Sequence, residues 1–315
     1  MKCRLCKSHK LIEHHIIDDN HTVYKCEDCE FVQLRTDLVN DLDDTANEES
    51  INQDKYRKTS KKDMEMNSDV DFPDTMKNLA HVITQDTKRV GELIKKLKKP
   101  NFKKFIDVGS GYGHIGFDIG NNNPDLSVHL LETSKDRIDM GIETFKPNVD
   151  KFTFHHELLD STFSKKYFEH FDISFSFHVL EHVYDMIDFV KSMYNITKKG
   201  GYIIIEVPNE DDDLQHISSN YEKIVRFPAH VSYFTKKSLM VLLEKAGISD
   251  SVEFIGVQRY GFFNYIDWIR HNDKQMVLSD DYIPRLDMSW IEEMWLNHKK
   301  KNLTTDTIMM IIKKD

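Results

Sequence analysis

From Thr75 onward the apolar residues change period repeatedly, from helical spacing to short continuous runs and back. Met76, Leu79, Ile83, Val90, Leu93, Ile94 and Leu97 recur three or four residues apart, which places them on one face of a helix that Pro100 ends. Five short runs follow: FKKFIDV, SVHLLE, KFTFHHE, FDISFSFHV and GYIIIEV. Each reads as a strand. Asn121 to Pro124 stops the helix between the first two. A helix from about Asp185 to Lys198 turns Met186, Phe189, Val190 and Met193 inward, and Gly200-Gly201 closes it. Thr235 caps KKSLMVLLEKA, whose apolar face is Leu239, Leu242, Leu243 and Ala246, and Gly247 ends it. SVEFIGVQ and DTIMMIIKK supply two more strands. Strands alternating with helices predict an α/β fold: a parallel sheet covered on both faces, with a ligand crevice at the carboxyl ends of its strands.

The rest of the chain reads differently. Residues 1–35 hold all four cysteines. Residues 36–74 run from acidic (DLVNDLDDTANEES) to basic (KYRKTSKKD) with no firm apolar period, which predicts a linker or cap segment in which Tyr56 is the aromatic to watch. Residues 75–315 form the core. An insertion at about 260–303 carries Phe262, Phe263, Tyr265, Trp268, Trp290 and Trp295, a stripe that suits a lid or an oligomer contact, a homodimer included. A length of 315 residues fits one core with appendages.

Composition narrows the partners. A net charge of −10 argues against a large footprint on nucleic acid or anionic lipid. The start, MKCRLCKSHK, has no signal-peptide pattern, and the longest apolar runs, such as Ile308 to Ile312, are too short to cross a bilayer. The expected compartment is the cytoplasm, where thiols stay reduced.

Cys3-x2-Cys6 and Cys26-x2-Cys29 are separated by 19 residues, the spacing of a four-cysteine zinc site. Each pair sets two thiolates on one side of a knuckle, and two knuckles complete a tetrahedron around Zn²⁺. With all ligands from protein the site is closed and structural. About 35 residues bury too little apolar surface to fold alone, and a metal supplies the missing free energy. Iron is a lesser alternative. His9, His14, His15 and His21 lie nearby and are read as surface residues.

IDVGSGYGHIG follows a strand and opens a helix. Gly109, Gly111 and Gly113 let the backbone approach a ligand closely. Glu132 stands 23 residues after Gly109, where a carboxylate accepts both hydroxyl hydrogens of a ribose. Gly111-x-Gly113-x-x-Gly116 also spells the dinucleotide fingerprint, so an NAD-dependent oxidoreductase competes. In that register the strand would extend through Gly109 and Ser110, both poor strand residues, and Asp107 would be buried inside it. With Gly109 as the first glycine, Asp107 falls at the strand end, in reach of a cationic ligand group.

Taken together, FIDVGSGYG, HLLE, FDISFSFHVLEHVYD, KKGGYIIIEVPN, HVSYFTKKSLMVLLEKAGI and DTIMMIIKK resemble the class I S-adenosylmethionine-dependent methyltransferases. The likeness covers residues 75–260 and the last dozen. It implies a Rossmann-like, seven-stranded, mostly parallel sheet with an antiparallel last strand, here joined to a small N-terminal zinc ribbon or knuckle. It also implies a binding set of Asp107, Gly109, Ser110, Gly111, Tyr112 and Gly113 around the methionine part of S-adenosyl-L-methionine. Glu132 and Thr133 would meet the ribose, Glu157 and Leu158 the adenine, and His178 both cofactor and acceptor. The four-cysteine knuckle on such a core is similar to enzymes acting on nucleotide-linked or polymer-bound sugars, so the expected acceptor is a carbohydrate or other small molecule.

Histidine suits the one remaining task, taking a proton from the nucleophile, because its ordinary pKa lies near neutrality. His230, in FPAHVSYF, is the leading candidate base, with His178 beside it. The sugar C-methyltransferases that this segment resembles carry Tyr-x-Glu-His, whereas Phe227, Pro228 and Ala229 precede His230 here, which leans the reading to an oxygen nucleophile. His178, Glu181 and His182, spaced i, i+3, i+4, would share one helical face and offer a second metal site. Arg259, Tyr260 and Asn264 suit a sugar or phosphate. An RNA methyltransferase and a zinc-ribbon adaptor remain as further readings. The acidic balance weighs against the first, and the intact Gly109-to-Glu132 set against the second.

Overall fold

The computed structural model describes residues 1–18, 21–35, 87–145, 148–226, 230–272 and 289–315. The expected linker at 36–74 with Tyr56, the positions Met76, Leu79 and Ile83, the segment Phe227 to Ala229 and the middle of the aromatic insertion lie outside the described residues.

All seven strands read from the core sequence are present. They are β4 (Lys104–Val108), β5 (Ser127–Leu131), β6 (Phe152–His155), β7 (Phe171–Phe177), β8 (Thr197–Pro208), β10 (Ser251–Val257) and β11 (Thr307–Lys313). They form one sheet in the order β10-β11-β8-β7-β4-β5-β6. β4 pairs parallel to β5 and β7, and β8 parallel to β7, while β11 runs antiparallel to both β8 and β10. This is the Rossmann-like sheet that the sequence motifs imply. The order of succession reverses between β4 and β7, which makes the carboxyl ends of these two strands the switch point where a crevice opens.

Period-two side-chain alternation sorts the core into two layers. Ile203, Ile205 and Val207 of β8 and Ile308, Met310 and Ile312 of β11 face one side. Ile204, Met309 and Ile311 face the other, with Phe105, Val128 and Phe175. Strands buried on both faces read as the unbroken apolar runs seen in the sequence. The flanking helices are α1 (His114–Asn122), α2 (Lys135–Thr144), α3 (Ser161–Lys166), α4 (Met186–Ile196), α5 (Leu214–Ile217), α6 (Ser219–Val225), α7 (Lys236–Ala246), α8 (Phe262–His271) and α9 (Ser289–Asn302). A helical run at 87–97 precedes them. The Thr235 side chain accepts the Ser238 N–H in a reciprocal capping box, and Gly247 ends α7 at φ 74°. One turn differs from expectation. α4 stops at Ile196, and Gly200-Gly201 sits inside β8, where Gly200 takes φ 74° at a register shift against β7. The glycines make a bulge there, not a helix cap.

The cysteine segment forms β1 (Leu11–Asp18), β2 (His21–Cys26) and β3 (Val32–Leu34), an antiparallel ribbon. Its fourth strand comes from the core: β9 (Ser232–Tyr233) pairs with β3 through Val32–Tyr233 and Gln33–Ser232. Cys3, Leu5, Cys26, Cys29 and Phe31 join the same buried cluster as Ile106, Val108 and Phe234, so the ribbon and the sheet share one core. A buried charge network pins them further. Arg226 is 1% exposed; it bonds Glu210 at 2.8 Å and Glu222 at 3.0 Å and lies 3.1 Å from His14 of β1.

Candidate functional site

The glycine turn lies where β4 ends. The Gly109 and Ser110 N–H groups donate to the Leu131 carbonyl of β5 at 2.8 and 3.0 Å, which folds the loop over the sheet edge. Gly109, Gly111 and Gly113 adopt φ of 73°, 56° and 80°, the left-handed region that favours glycine. A Cβ on Gly109 would come within 2.4 Å of Val179, whereas one on Gly111 would meet nothing within 4 Å among the described residues. Gly109 is thus fixed by close packing, and Gly111 is not.

Glu132, 2% exposed, holds the loop from the neighbouring strand. Its carboxylate accepts the Gly111 and Ser134 N–H groups, each at 2.9 Å. Thr133 donates its hydroxyl to Glu132 at 3.4 Å. Asp107 is 3% exposed and is the penultimate residue of β4, at the strand end as expected from sequence. Burial pushes its carboxyl up to about 8, against the opposing Gly116 N–H, and the nearby Glu132 charge adds to the rise. A buried carboxylate with a backbone N–H and, among the described residues, no cation beside it suits a ligand that brings its own positive charge. Ser110 is buried, and Tyr112 and Leu158 are half-buried. Glu157, on the loop after β6, is exposed and paired with Lys166 at 3.0 Å, so its side chain is engaged at the surface.

The second half of the site is built at the ends of β7 and β8. His178 follows β7 with φ 54°, a costly backbone for a non-glycine residue and a common mark of functional turns. This break prevents the continuous helical face read from the i, i+3, i+4 spacing, and only a single 3₁₀ turn, Leu180–His182, follows it. Burial and the Arg259 guanidinium push the His178 imidazole down, but Glu181 and Glu206 outweigh them and raise it to about 9. Its Nδ1 is 3.4 Å from Glu181, and its Nε2 is 3.5 Å from Glu206 and 3.2 Å from Arg259 Nη1. The arginine contact is a hydrogen bond only to an unprotonated Nε2, while the two carboxylates favour the imidazolium.

Sequence reasoning missed Glu206 and Arg89. Glu206, buried in β8, is gripped by both terminal nitrogens of Arg89, one at 2.9 Å. A lone carboxylate within the run IIIEVPN was its sequence signal. Arg89 lies on the polar face of its helix and had none.

His230, the candidate base, sits just before β9. Its Nδ1 lies 2.9 Å from the Val225 carbonyl, which only accepts, so Nδ1 carries the proton and Nε2 the lone pair. Burial lowers its pKa to about 4, against the pull of Glu181. That keeps the ring neutral but makes it a weak base near neutrality. The His230 and His182 rings lie 4.8 Å apart, and the Val231 N–H donates to the Glu181 carbonyl at 2.9 Å. The fold therefore brings His178, Glu181, His182 and His230 together, although 48 positions separate the last two.

The four cysteines converge as expected. Cys3 and Cys29 Sγ are 3.6 Å apart and Cys6 and Cys26 Sγ 3.5 Å, with all four thiols within 4.8 Å of one another and no disulfide. Zn–S bonds of about 2.3 Å put tetrahedral sulfur atoms about 3.8 Å apart, so the cage fits zinc. The two knuckles repeat one geometry. The residue after each second cysteine, Lys7 or Glu30, is left-handed, with φ of 64° and 60°. Each donates its N–H to the carbonyl of the first cysteine, at 2.9 and 2.8 Å.

A family model described as a methyltransferase domain matches residues 78–250. No curated protein matches the chain. Among solved structures, one is a SAM-dependent methyltransferase from Archaeoglobus fulgidus, 16% identical over 74% of this chain and 94% of its own, with a TM-score of 0.47. Another is a complex between the Haloferax volcanii Trm112 methyltransferase activator and a methyltransferase, 12% identical over 78% of this chain and 99% of the matched one, with a TM-score of 0.50. A third is YcgJ from Bacillus subtilis, 16% identical over 71% of this chain and 97% of its own, with a TM-score of 0.46. At such identities the likeness is one of fold. Among the described residues no helix is long and apolar enough to cross a membrane.

Proposed function

This chain belongs to the methyltransferase-domain family, and we propose that it moves a methyl group from S-adenosylmethionine to an oxygen of a small-molecule acceptor, with a hydroxyl of a nucleotide-linked or polymer-bound sugar as the acceptor class. The observation that carries this reading is the pairing of a glycine cradle at Gly111 with two buried carboxylates, Asp107 and Glu132, of which Asp107 has no cation beside it among the described residues. S-adenosylmethionine supplies a methyl group already activated on a sulfonium. The chain's own tasks are to hold, align and deprotonate. Asp107 faces the cationic amino group, Gly109 to Gly113 give backbone room, Glu132 takes the ribose hydroxyls with Thr133 beside it, and Leu158 borders the adenine. Glu157 would have to leave Lys166 to join them. The family match weighs against the dinucleotide-oxidoreductase reading of the same glycines.

On the acceptor side His178, Glu181, His182 and His230 meet the nucleophile, and Arg259 borders them. The sugar rests on the likeness of a four-cysteine knuckle joined to this core. A structural zinc ion held by Cys3, Cys6, Cys26 and Cys29 belongs to the same proposal.

Calorimetry with S-adenosylhomocysteine tests it. The wild-type protein should bind this ligand. Gly111→Ala should lose at least about tenfold, equal to about 1.4 kcal/mol, because its methyl group enters the cradle while the left-handed backbone is strained. Tight binding of NADH with no binding of S-adenosylhomocysteine would overturn the reading.

A further inference from the structure

We propose that Arg4 is a positioning residue for the acceptor side of the site: through its guanidinium, the closed cysteine knuckle fixes both the turn that carries His182 and the strand that follows His230. The inference rests on the methyl-transfer reading for what these histidines do, but on separate contacts for its geometry.

Arg4 lies between Cys3 and Cys6, so the loop that closes on a metal also sets where this side chain points. Its backbone is anchored first. The Arg4 N–H donates to Oε1 of Gln33 at 2.8 Å, and Gln33, buried in β3, donates in turn to the Lys2 carbonyl at 3.3 Å. Gln33 is also the residue that pairs with Ser232 of β9. From this base the guanidinium leaves the ribbon and spans two distant segments. Nη1 donates to the carbonyl of Tyr184, two residues after His182, at 3.3 Å. Nη2 donates to the carbonyl of Val231, next to His230, and to the Ser232 hydroxyl at 3.0 Å. The guanidinium carbon lies 4.8 Å from the Tyr184 ring centroid and 5.7 Å from that of Phe31. A planar fork can hold two carbonyls at a set separation, which an ammonium on a flexible stem cannot.

The turn and the strand also meet directly, through the Val231 N–H to Glu181 carbonyl bond at 2.9 Å. Both backbone groups of Val231 are therefore held. Glu181 takes its N–H, while Arg4 and, at 3.2 Å, the Leu34 N–H donate to its carbonyl. His230 precedes this fixed point, with its ring 4.8 Å from that of His182. A shift of the Val231 backbone would move one ring against the other, and a misplacement of about an ångström can cost on the order of a hundredfold in rate.

The test keeps the metal in place. Arg4→Met retains an unbranched apolar stem and both cysteine pairs. The zinc-loaded, full-length variant should keep one zinc per chain and bind S-adenosylhomocysteine within about twofold of wild type. Amide exchange at Val231 should become at least about tenfold faster. The His230 ring, followed by NMR through a pH titration, should move from about 4 towards the ordinary value of about 6.5, because burial is what depresses it most and water would now reach it. Glu181, His182 and His178, the charged and titratable groups that act on this ring, are the same in both proteins. A role confined to overall stability would shift the unfolding midpoint but not this titration. Arg4→Lys keeps the charge without the fork and should resemble Arg4→Met; it also carries the test if the methionine variant loses its zinc. Zinc-loaded variants whose His230 titration and Val231 exchange match the wild type, or a lysine variant that restores both, would overturn the role of Arg4. Failure of the wild type to bind S-adenosylhomocysteine would instead strike the methyl-transfer reading.

Discussion

Replacing Asp107 with asparagine should stabilise the protein without ligand and impair it with ligand, and the size of the first effect follows from burial. The carboxyl moves from 3.8 to about 8 on folding. A folded pKa above the unfolded one means the native state holds the proton more tightly. Its contribution is fully present below 3.8 and is lost as pH rises through about 8. At about pH 7 the loss amounts to about 4 kcal/mol, at roughly 1.4 kcal/mol per pH unit. Asparagine has no such dependence, but its buried amide N–H groups lack acceptors, which costs about 1–3 kcal/mol. The two effects nearly cancel at about pH 5, and Asp107→Asn should be more stable by about 1–3 kcal/mol at about pH 7. Urea unfolding of both proteins in steps between about pH 5 and pH 8 reads this difference, and groups common to both drop out. With S-adenosylhomocysteine the order should change. Its ammonium group ionises Asp107, so wild-type binding at about pH 7 releases close to one proton, and calorimetry in buffers of different ionisation enthalpy counts it. The variant should release none and bind more weakly. Parallel pH dependence of stability in the two proteins would refute the reasoning, because a carboxyl with an ordinary pKa makes no such difference.

Two other perturbations probe opposite ends of the molecule. Cys3→Ser should abolish stoichiometric zinc and, because β3 pairs with β9, speed amide exchange at residues 230–234 as well as in the ribbon; loosening confined to residues 1–35 would show that the strand pairing carries no such coupling. Burial and the charges of His155 and His170 depress His129 from 6.5 to about 4, and its Nδ1 lies 2.9 Å from His155 Nε2. A depressed folded pKa means stability is intact above about 6.5 and is lost as pH falls towards about 4, a loss of about 3 kcal/mol that His129→Gln should remove. Urea midpoints at several acidic pH values check this, and equal acid sensitivity in both proteins would count against it.

The core sheet was legible because its signals are local. FKKFIDV, GYIIIEV and their kin are short apolar runs bounded by breakers, and a strand buried on both faces has no other way to look. The glycine turn and Glu132 were legible for the same reason: φ values near 60–80° and the carboxylate after β5 are demanded within one strand–turn–helix unit. Gly200-Gly201 misled because a glycine pair reads alike as a helix cap and as a bulge. What separates the two is the pairing of Ile173 with Tyr202 across the sheet, a relation between distant segments. On the acceptor side the sequence offered His178, Glu181, His182 and His230 but not their arrangement in space. The φ of 54° at His178 has no signature in a histidine, and the meeting of His230 with Glu181 depends on where β9 docks.

That docking gives the cysteines a role beyond holding their own segment. β9 is two residues long and, among the described strands of this sheet, pairs only with β3, itself three residues long. Strands so short do not hold their geometry alone. β3 begins three residues after Cys29, and Phe31 between them packs on Phe234 with ring centroids 5.4 Å apart. Arg4, between the first two cysteines, donates to the Val231 carbonyl and, at 3.0 Å, to the Ser232 hydroxyl. A metal that closes the knuckles would therefore set the position of the strand next to His230, the proposed base, and small displacements of a catalytic group cost rate steeply. The arrangement predicts that zinc loss acts on turnover before it acts on cofactor binding. The Asp107–Glu132 half hangs on β4 and β5, which pair with each other and with β6 and β7 but not with the ribbon.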